Sequence, residues 1–201
     1  MDANSTWHNW LTTYLDLSPT AIEHLSKRFE LVNLPVDSET TEHTLRTFQL
    51  AGDLARAVGF PEAQLADMRR GVMLHDLGKL LIPPEILNKP GRLTSEDWAV
   101  IRRHPYFSFL LLCDIPELEP ALTIPVAHHE CWDGSGYPRG LQGEAIPLAA
   151  RIYAVVDCWD ALISQRPYRP PFSLPEARKI MTSLAGKHFD PAIVATFLEQ
   201  I

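Results

Sequence analysis

Pro147-Leu148-Ala149-Ala150-Arg151-Ile152-Tyr153-Ala154-Val155-Val156-Asp157-Cys158-Trp159-Asp160-Ala161-Leu162 opens on a proline and then keeps one helical rhythm. Leu148, Ile152, Val155, Trp159 and Leu162 share one side at the spacing of an amphipathic helix, and a proline in the first turn gives up an N–H that has no helical partner anyway. The face Tyr153-Asp157-Asp160-Ser164 lies away from that stripe. Asp157 on it is either a structural carboxylate paired with Arg151 or Arg166, or part of a site.

The same punctuation recurs outward along the chain. Ser18-Pro19 is a cap followed by a first-turn proline and puts Ile22, Leu25 and Phe29 on one face; Asp190-Pro191 repeats the signature near the end. Asp37 is a candidate cap for a helix to about Val58, with Gly59 past its end and Pro61 starting the next, which runs into His75-Asp76. Thr94 with Asp97 forms a capping-box pattern, and Pro105 predicts a boundary or kink at His104. No run alternates over the length of a strand, so the predicted fold is all-α, a compact helical domain. The segment from Trp132 to Gly143, with Asp133-Gly134-Ser135-Gly136-Tyr137-Pro138, has to be irregular. Asn33-Leu34-Pro35 is the one plausible boundary, which gives a short N-terminal helical extension over 1–35 and a main domain over 36–201.

A chain of 201 residues, 46% hydrophobic, can bury one sizeable core. Its formal charge of −7 argues against a groove for polymeric nucleic acid, which needs many Lys and Arg. Cys113, Cys131 and Cys158 are odd in number and widely spaced, which fits a reducing cytoplasm better than a disulfide framework or a cysteine zinc site. The start at Met1 lacks a signal-like pattern, and the apolar run Phe107 to Cys113 is too short to span a bilayer. A cytoplasmic chain with no membrane partner is therefore expected.

His43, His75, His104, His128 and His129 crowd the middle of the sequence, and imidazoles with carboxylates suit zinc, iron or manganese. Glu39 and His43 stand four apart, so on a helix they reach one place, although such pairs usually mark a solvated face. After His75-Asp76, Gly78-Lys79 lets a helix end and returns a cation toward the same place. His128 and His129 diverge by about 100° on a helix and can serve different ions or edges of one cleft. His104 alone reads as a core histidine.

His75-Asp76-Leu77-Gly78-Lys79, then His128-His129-Glu130 with Asp133 to Pro138, then Arg166-Pro167-Tyr168-Arg169, in this order, resembles the HD-GYP family of the HD phosphohydrolase superfamily. Lys89-Pro90-Gly91, Ala150-Arg151-Ile152 and Phe189-Asp190-Pro191 add to the likeness, which covers about Val36 to Ile201. The resemblance implies an all-helical, metal-dependent bacterial signalling phosphodiesterase that hydrolyses cyclic di-GMP to pGpG or GMP through a hydroxide activated between metals. It implies metal ligands at His43, His75, Asp76, His104, His128, His129 and Asp157, with Asp76 as the bridge. Glu39 matches a ligand found where three metals are held, so two or three divalent ions, iron or manganese, are expected. Lys79 matches a lysine that reaches the substrate phosphate, which makes Asp76 and Lys79 the expected catalytic pair. Asp133, Gly136, Tyr137 and Pro138 match the loop along the cleft, and Arg166 and Arg169 match basic positions that hold phosphate or guanine. Trp132 and Tyr137 are candidate stacking partners for guanine or packing residues.

The chain departs from the pattern at Thr41-Glu42-His43, where glycine commonly precedes the glutamate, at Gln165, where an acid commonly precedes the arginine, and at Pro170-Pro171. The competing readings are a slow or inactive cyclic-dinucleotide sensor or interaction module, an HD phosphohydrolase for another nucleotide, and a structural metal clamp. Trp7, Trp10 and Tyr14 would serve a homodimer or a signalling partner, and burial against the same domain explains them equally well.

Overall fold

The computed structural model describes residues 11–13, 15–32, 38–165 and 170–201, and within these the side chains of 29–32 and 38–41 are not considered. The expectations at Trp7, Trp10, Tyr14, Asn33 to Asp37, the Glu39 side chain, Arg166 and Arg169 thus lie outside the described residues. The all-α expectation holds: the described residues form helices and no β-strand, with one isolated bridge between Ala185 and Phe189.

The helices are α1 (Pro19–Val32), α2 (Ser38–Ala57), α3 (Leu65–Leu74), α4 (Pro84–Leu87), α5 (Ser95–Ile101), α6 (His104–Leu112), α7 (Thr123–Ala127), α8 (Leu148–Ile163), α9 (Leu174–Leu184) and α10 (Pro191–Gln200). The opening stretch is α8, starting directly after Pro147. Its stripe packs in the main core, where Ile152, Tyr153, Val155, Val156 and Trp159 meet Leu54 and Ala55 of α2, Met68 and Val72 of α3, and Met181 and Phe197 from the last two helices. A second cluster joins Leu11, Leu15, Ile22 and Leu25 to Met73, Leu74, Leu77, Leu112 and Leu118, so α1 supports the end of α3. Each of these buried aliphatic side chains contributes about 1.5–3 kcal/mol through area removed from water.

Local signals set many of the helix ends. Ser18 Oγ accepts from Ala21 N at 3.3 Å, and Asp190 Oδ1 accepts from Ala192 N at 2.9 Å. Thr94 and Asp97 complete the reciprocal capping box. Gly59, at φ 74°, ends α2 with its N–H on Arg56 O while Phe60 N–H reaches back to Ala55 O, an ending that needs the left-handed region. Two starts differ from expectation. Pro61 begins a 3₁₀ turn, Glu62–Gln64, before α3. At Pro105 the break falls over Arg102-Arg103, and His104 begins α6 because the proline then sits harmlessly in the first turn.

No helix among the described residues is long and apolar enough to cross a membrane.

Candidate metal centre

His75 sits at the C-terminal cap of α3, His104 at the first position of α6 and His128 at the cap of α7, so three helix ends converge on Asp76. All three rings are fixed in the same way: Nδ1 faces a main-chain carbonyl, Val72 O at 2.8 Å, Ile101 O at 2.8 Å and Ile124 O at 3.0 Å. A carbonyl only accepts, so each neutral ring carries its proton on Nδ1 and turns a bare Nε2 inward. These nitrogens lie 3.1 Å (His75, to Oδ2), 3.5 Å (His104, to Oδ1) and 3.8 Å (His128, to Oδ1) from the Asp76 carboxylate. His104 Nε2 and His128 Nε2 are 3.4 Å apart.

This is a pocket of acceptors facing one another. Asp76 Oδ1 is buried with no hydrogen-bond partner, and such an orphan costs about 1–3 kcal/mol unless something cationic satisfies it. Asp76, His104, His128 and His129 each offer a ligand atom within 4.8 Å of the others, and so, separately, do His43, His75 and Asp157. The donor set of imidazoles and carboxylates fits divalent transition metals. His75 and Asp76 lie in different groups but are chain neighbours, so the two groups abut.

Packing around glycine brings the first group together. A Cβ on Gly78 would stand 1.9 Å from His104 O and 2.5 Å from Ser108 N, so only glycine lets the 3₁₀ turn Leu77–Leu81 press against α6. The expected reason, a helix ending, is thereby replaced by close approach; Gly78 N also donates to Ser108 Oγ at 2.8 Å. Gly136 acts likewise, with a Cβ landing 2.2 Å from Cys131 N. That closeness lets Tyr137 N donate to His129 O at 3.1 Å and stacks the Tyr137 ring on His129, centroids 4.8 Å apart. The loop is tied below by buried Glu130, whose carboxylate accepts from Arg139 N and Leu141 N at 2.8 and 2.9 Å.

The second group hangs on the polar face of α8. Tyr153 OH lies 3.0 Å from His75 Nδ1, Asp157 Oδ1 lies 3.2 Å from His43 Nε2, and Asp160 Oδ2 lies 2.7 Å from His43 Nδ1. Arg46 grips the same Asp160 carboxylate with Nε at 2.7 Å and Nη2 at 3.0 Å, and Nη2 also reaches Ser164 Oγ at 3.1 Å. Arg151 does not neutralise Asp157; it binds Asp190 at 2.8 Å and lies over Trp132. Tyr153, Asp160 and Arg46 were not singled out from the sequence as parts of a site.

The electrostatics of the two groups differ. Burial pushes His104 and His128 down, and burial followed by the charge of His104 takes His129 to about 4, so these rings stay neutral. His43 goes the other way: burial opposes its charge, yet hydrogen bonds to Asp157 and Asp160 carry it up to about 9. Burial works against the charge of Asp76, but Lys79 and His75 hold it well below the usual carboxylate range. Asp157 is held low against burial by His43, and Asp160 is brought to about 2 by His43 and Arg46.

Beside the metal groups opens a cleft of about 360 Å³, lined in part by His128, His129, Gly136, Tyr137, Asp157 and Arg102. Of the other expected contacts, Lys79 Nζ sits 2.5 Å from Asp76 Oδ2. Asp133 is exposed and binds Ser135 N and Oγ at 2.9 and 2.6 Å, and Pro138 is exposed. Arg102, missed in the sequence, lies over the Tyr137 ring at 5.3 Å.

A helical bundle whose helix ends converge on histidines and aspartates around a cleft defines a candidate metal-centre protein. The chain belongs to the HD domain family, which it matches over residues 23–193. It is 42% identical over 165 residues to a cyclic di-GMP phosphodiesterase of Thermotoga maritima, covering 81% of this chain and 45% of that one. It is 37% identical over 163 residues to a 3′3′-cGAMP-specific phosphodiesterase 2 of Vibrio cholerae, covering 80% and 31%. Its fold resembles that of Bd1817, an HDG"Y"P protein from Bdellovibrio bacteriovorus, with TM-score 0.65 and 20% identity over 98% of this chain and 61% of that one. The HD-GYP resemblance is borne out by these relatives. The chain spans less than half the length of the curated relatives it matches.

Proposed function

We propose that this chain is a metal-dependent phosphodiesterase that hydrolyses cyclic di-GMP to pGpG or GMP in the bacterial cytoplasm. The observation that carries the reading is the buried, partnerless Asp76 Oδ1 facing two bare imidazole nitrogens at the edge of a nucleotide-sized cleft. Relatives named for cyclic dinucleotide hydrolysis support the substrate class.

On this reading Asp76, His104, His128 and His129 would hold one ion and His43, His75 and Asp157 would hold its neighbour; the family resemblance makes Asp76 the residue between them. Glu39 is the residue for a third. Iron or manganese is the proposed metal, which when bound supplies Lewis acidity and activates water at neutral pH. The chain's own work is positional and electrostatic. The main-chain carbonyls at Val72, Ile101 and Ile124 keep the Nδ1 protons in place and so aim three Nε2 lone pairs. Lys79, half exposed beside Asp76, offers its ammonium to the phosphate on which negative charge builds, a task for a compact cation. Tyr137 holds His129 flat by stacking and, with Gly136, walls the cleft; Arg166 and Arg169 are assigned to phosphate or guanine by the family resemblance alone.

The test loads the protein anaerobically with iron, manganese or zinc, measures metal content, and follows cyclic di-GMP on the same sample. Conversion to pGpG or GMP with two or more ions per chain is expected. Binding without turnover under every metal would make the chain a cyclic-dinucleotide sensor instead. The resemblance to a 3′3′-cGAMP-specific enzyme favours one second reading, a mixed cyclic dinucleotide as substrate, and a product panel over both nucleotides separates the two.

A further inference from the structure

We propose that Arg102 is a phosphate-binding residue, which holds the second, unreacting phosphate of a cyclic dinucleotide while the metal groups engage the first; this rests on the phosphodiesterase reading above. A cyclic dinucleotide carries two phosphodiesters. The metal groups engage one, and the other must be held against a chain of formal charge −7, which requires a cation at the cleft.

Arg102 is the only arginine among the described residues that line the cleft, where it stands with His128, His129 and Tyr137. It caps α5 two residues before His104, so one short turn places both the arginine and a metal-ligand candidate. Its guanidinium is 5.3 Å from the Tyr137 ring, and that ring is stacked on His129. Several other arginines are committed to carboxylates, Arg28 to Asp114, Arg46 to Asp160, Arg70 to Asp67 and Arg151 to Asp190, while Arg69 and Arg103 lie over Phe48 and Phe107 and are not among the residues lining the cleft. Arg102 forms no ion pair among the described residues. A contact through the ring face steadies the guanidinium and uses none of its five N–H donors, which leaves the planar fork for bidentate binding of phosphate.

The manganese-loaded full chain, its Arg102→Ala variant and its Arg102→Lys variant are titrated with cyclic di-GMP, and turnover is then measured on cyclic di-GMP and on bis(p-nitrophenyl) phosphate. The expected result is binding about tenfold or more weaker for the alanine variant, with part of the loss recovered by lysine. In turnover the alanine change should raise KM far more than it lowers kcat. Its loss in kcat/KM should be about tenfold larger on the dinucleotide than on the diester with a single phosphate. Binding by the alanine variant within twofold of the parent overturns the proposal. Equal losses on both substrates overturn it too, since they would make Arg102 a prop for Tyr137 and His129. If the parent protein binds the dinucleotide without cleaving it, the phosphodiesterase reading falls and the titration still decides Arg102; if it neither binds nor cleaves, both fall.

Discussion

The two halves of the candidate metal centre use the same residue types and prepare them in opposite ways. Around Asp76, the rings of His104 and His128 are fixed by carbonyls of their own chain three or four residues back, and burial strips them of charge. Across His75, the ring of His43 is fixed by two carboxylates from α8, more than a hundred residues away in sequence, and those carboxylates keep a proton on it. One half is locked locally and leaves its inward Nε2 atoms bare. The other is locked by tertiary structure and holds a proton in the metal's place. A cation entering the first half only fills a pocket of lone pairs, whereas a cation entering the second must displace that proton.

The largest effect should come from the residue proposed to stand between the halves. Asp76→Ala removes the carboxylate between them, so turnover should fall by about a thousandfold or more and both ions should be lost together. Near-normal activity, or loss of a single ion on metal analysis, would break the two-half description. Gly78→Ala comes next and should act on the first half. Its Cβ would meet His104 O, forcing the Leu77–Leu81 turn off α6 and taking His104 away from Asp76, at a cost of about 1–3 kcal/mol in stability. Metal analysis and a thermal melt should show a lower Tm and about one ion fewer per chain, with the His43 half still filled.

What the sequence disclosed follows the same division. Signals that act within a few residues, the caps at Ser18, Thr94 and Asp190 and the helix end at Gly59, were legible because their partners sit in the same stretch. The polar face of α8 was legible from its spacing, yet only Asp157 on it was taken for a site residue. Tyr153 and Asp160 acquire their roles by meeting His75 and His43, and nothing in the spacing of α8 says which helices will cross it. Gly78 was read as ending a helix and Gly136 as part of an irregular loop, whereas both allow close approach to a backbone distant or folded back, which no local pattern encodes. Arg102 was not singled out, because the ring beneath it belongs to a loop more than thirty residues later.

Asp160 tests the tertiary lock directly. Asp160→Asn keeps an oxygen that accepts from His43 Nδ1 but removes the charge shared with Arg46. Metal affinity should drop about 10–100-fold in the His43 half alone, the usual cost of weakening an outer partner of a ligating histidine. Equal loss in both halves, read from a two-site titration with manganese, would show that Asp160 supports the whole bundle and not one ring.

The smallest effect is also the sharpest test of the comparison. In the metal-free fold His43 titrates near 9, so at pH 7.5 it is protonated and must lose that proton when its Nε2 takes a metal. His104, His128 and His129 are neutral at this pH and have no imidazolium proton to give up. Calorimetry in two buffers of different ionisation enthalpy should therefore find about one proton released for the ion of the His43 half and none for the other. Above about pH 10 the release should vanish, and below 9 the affinity of that half should fall by up to tenfold per pH unit. The sign follows from the carboxylates: they raise the pKa of His43, so lower pH strengthens the proton against the metal. Asp160→Asn weakens that hold and should shrink the release at pH 7.5. Release from both halves, or from neither, would mean that the local and tertiary locks prepare their histidines alike.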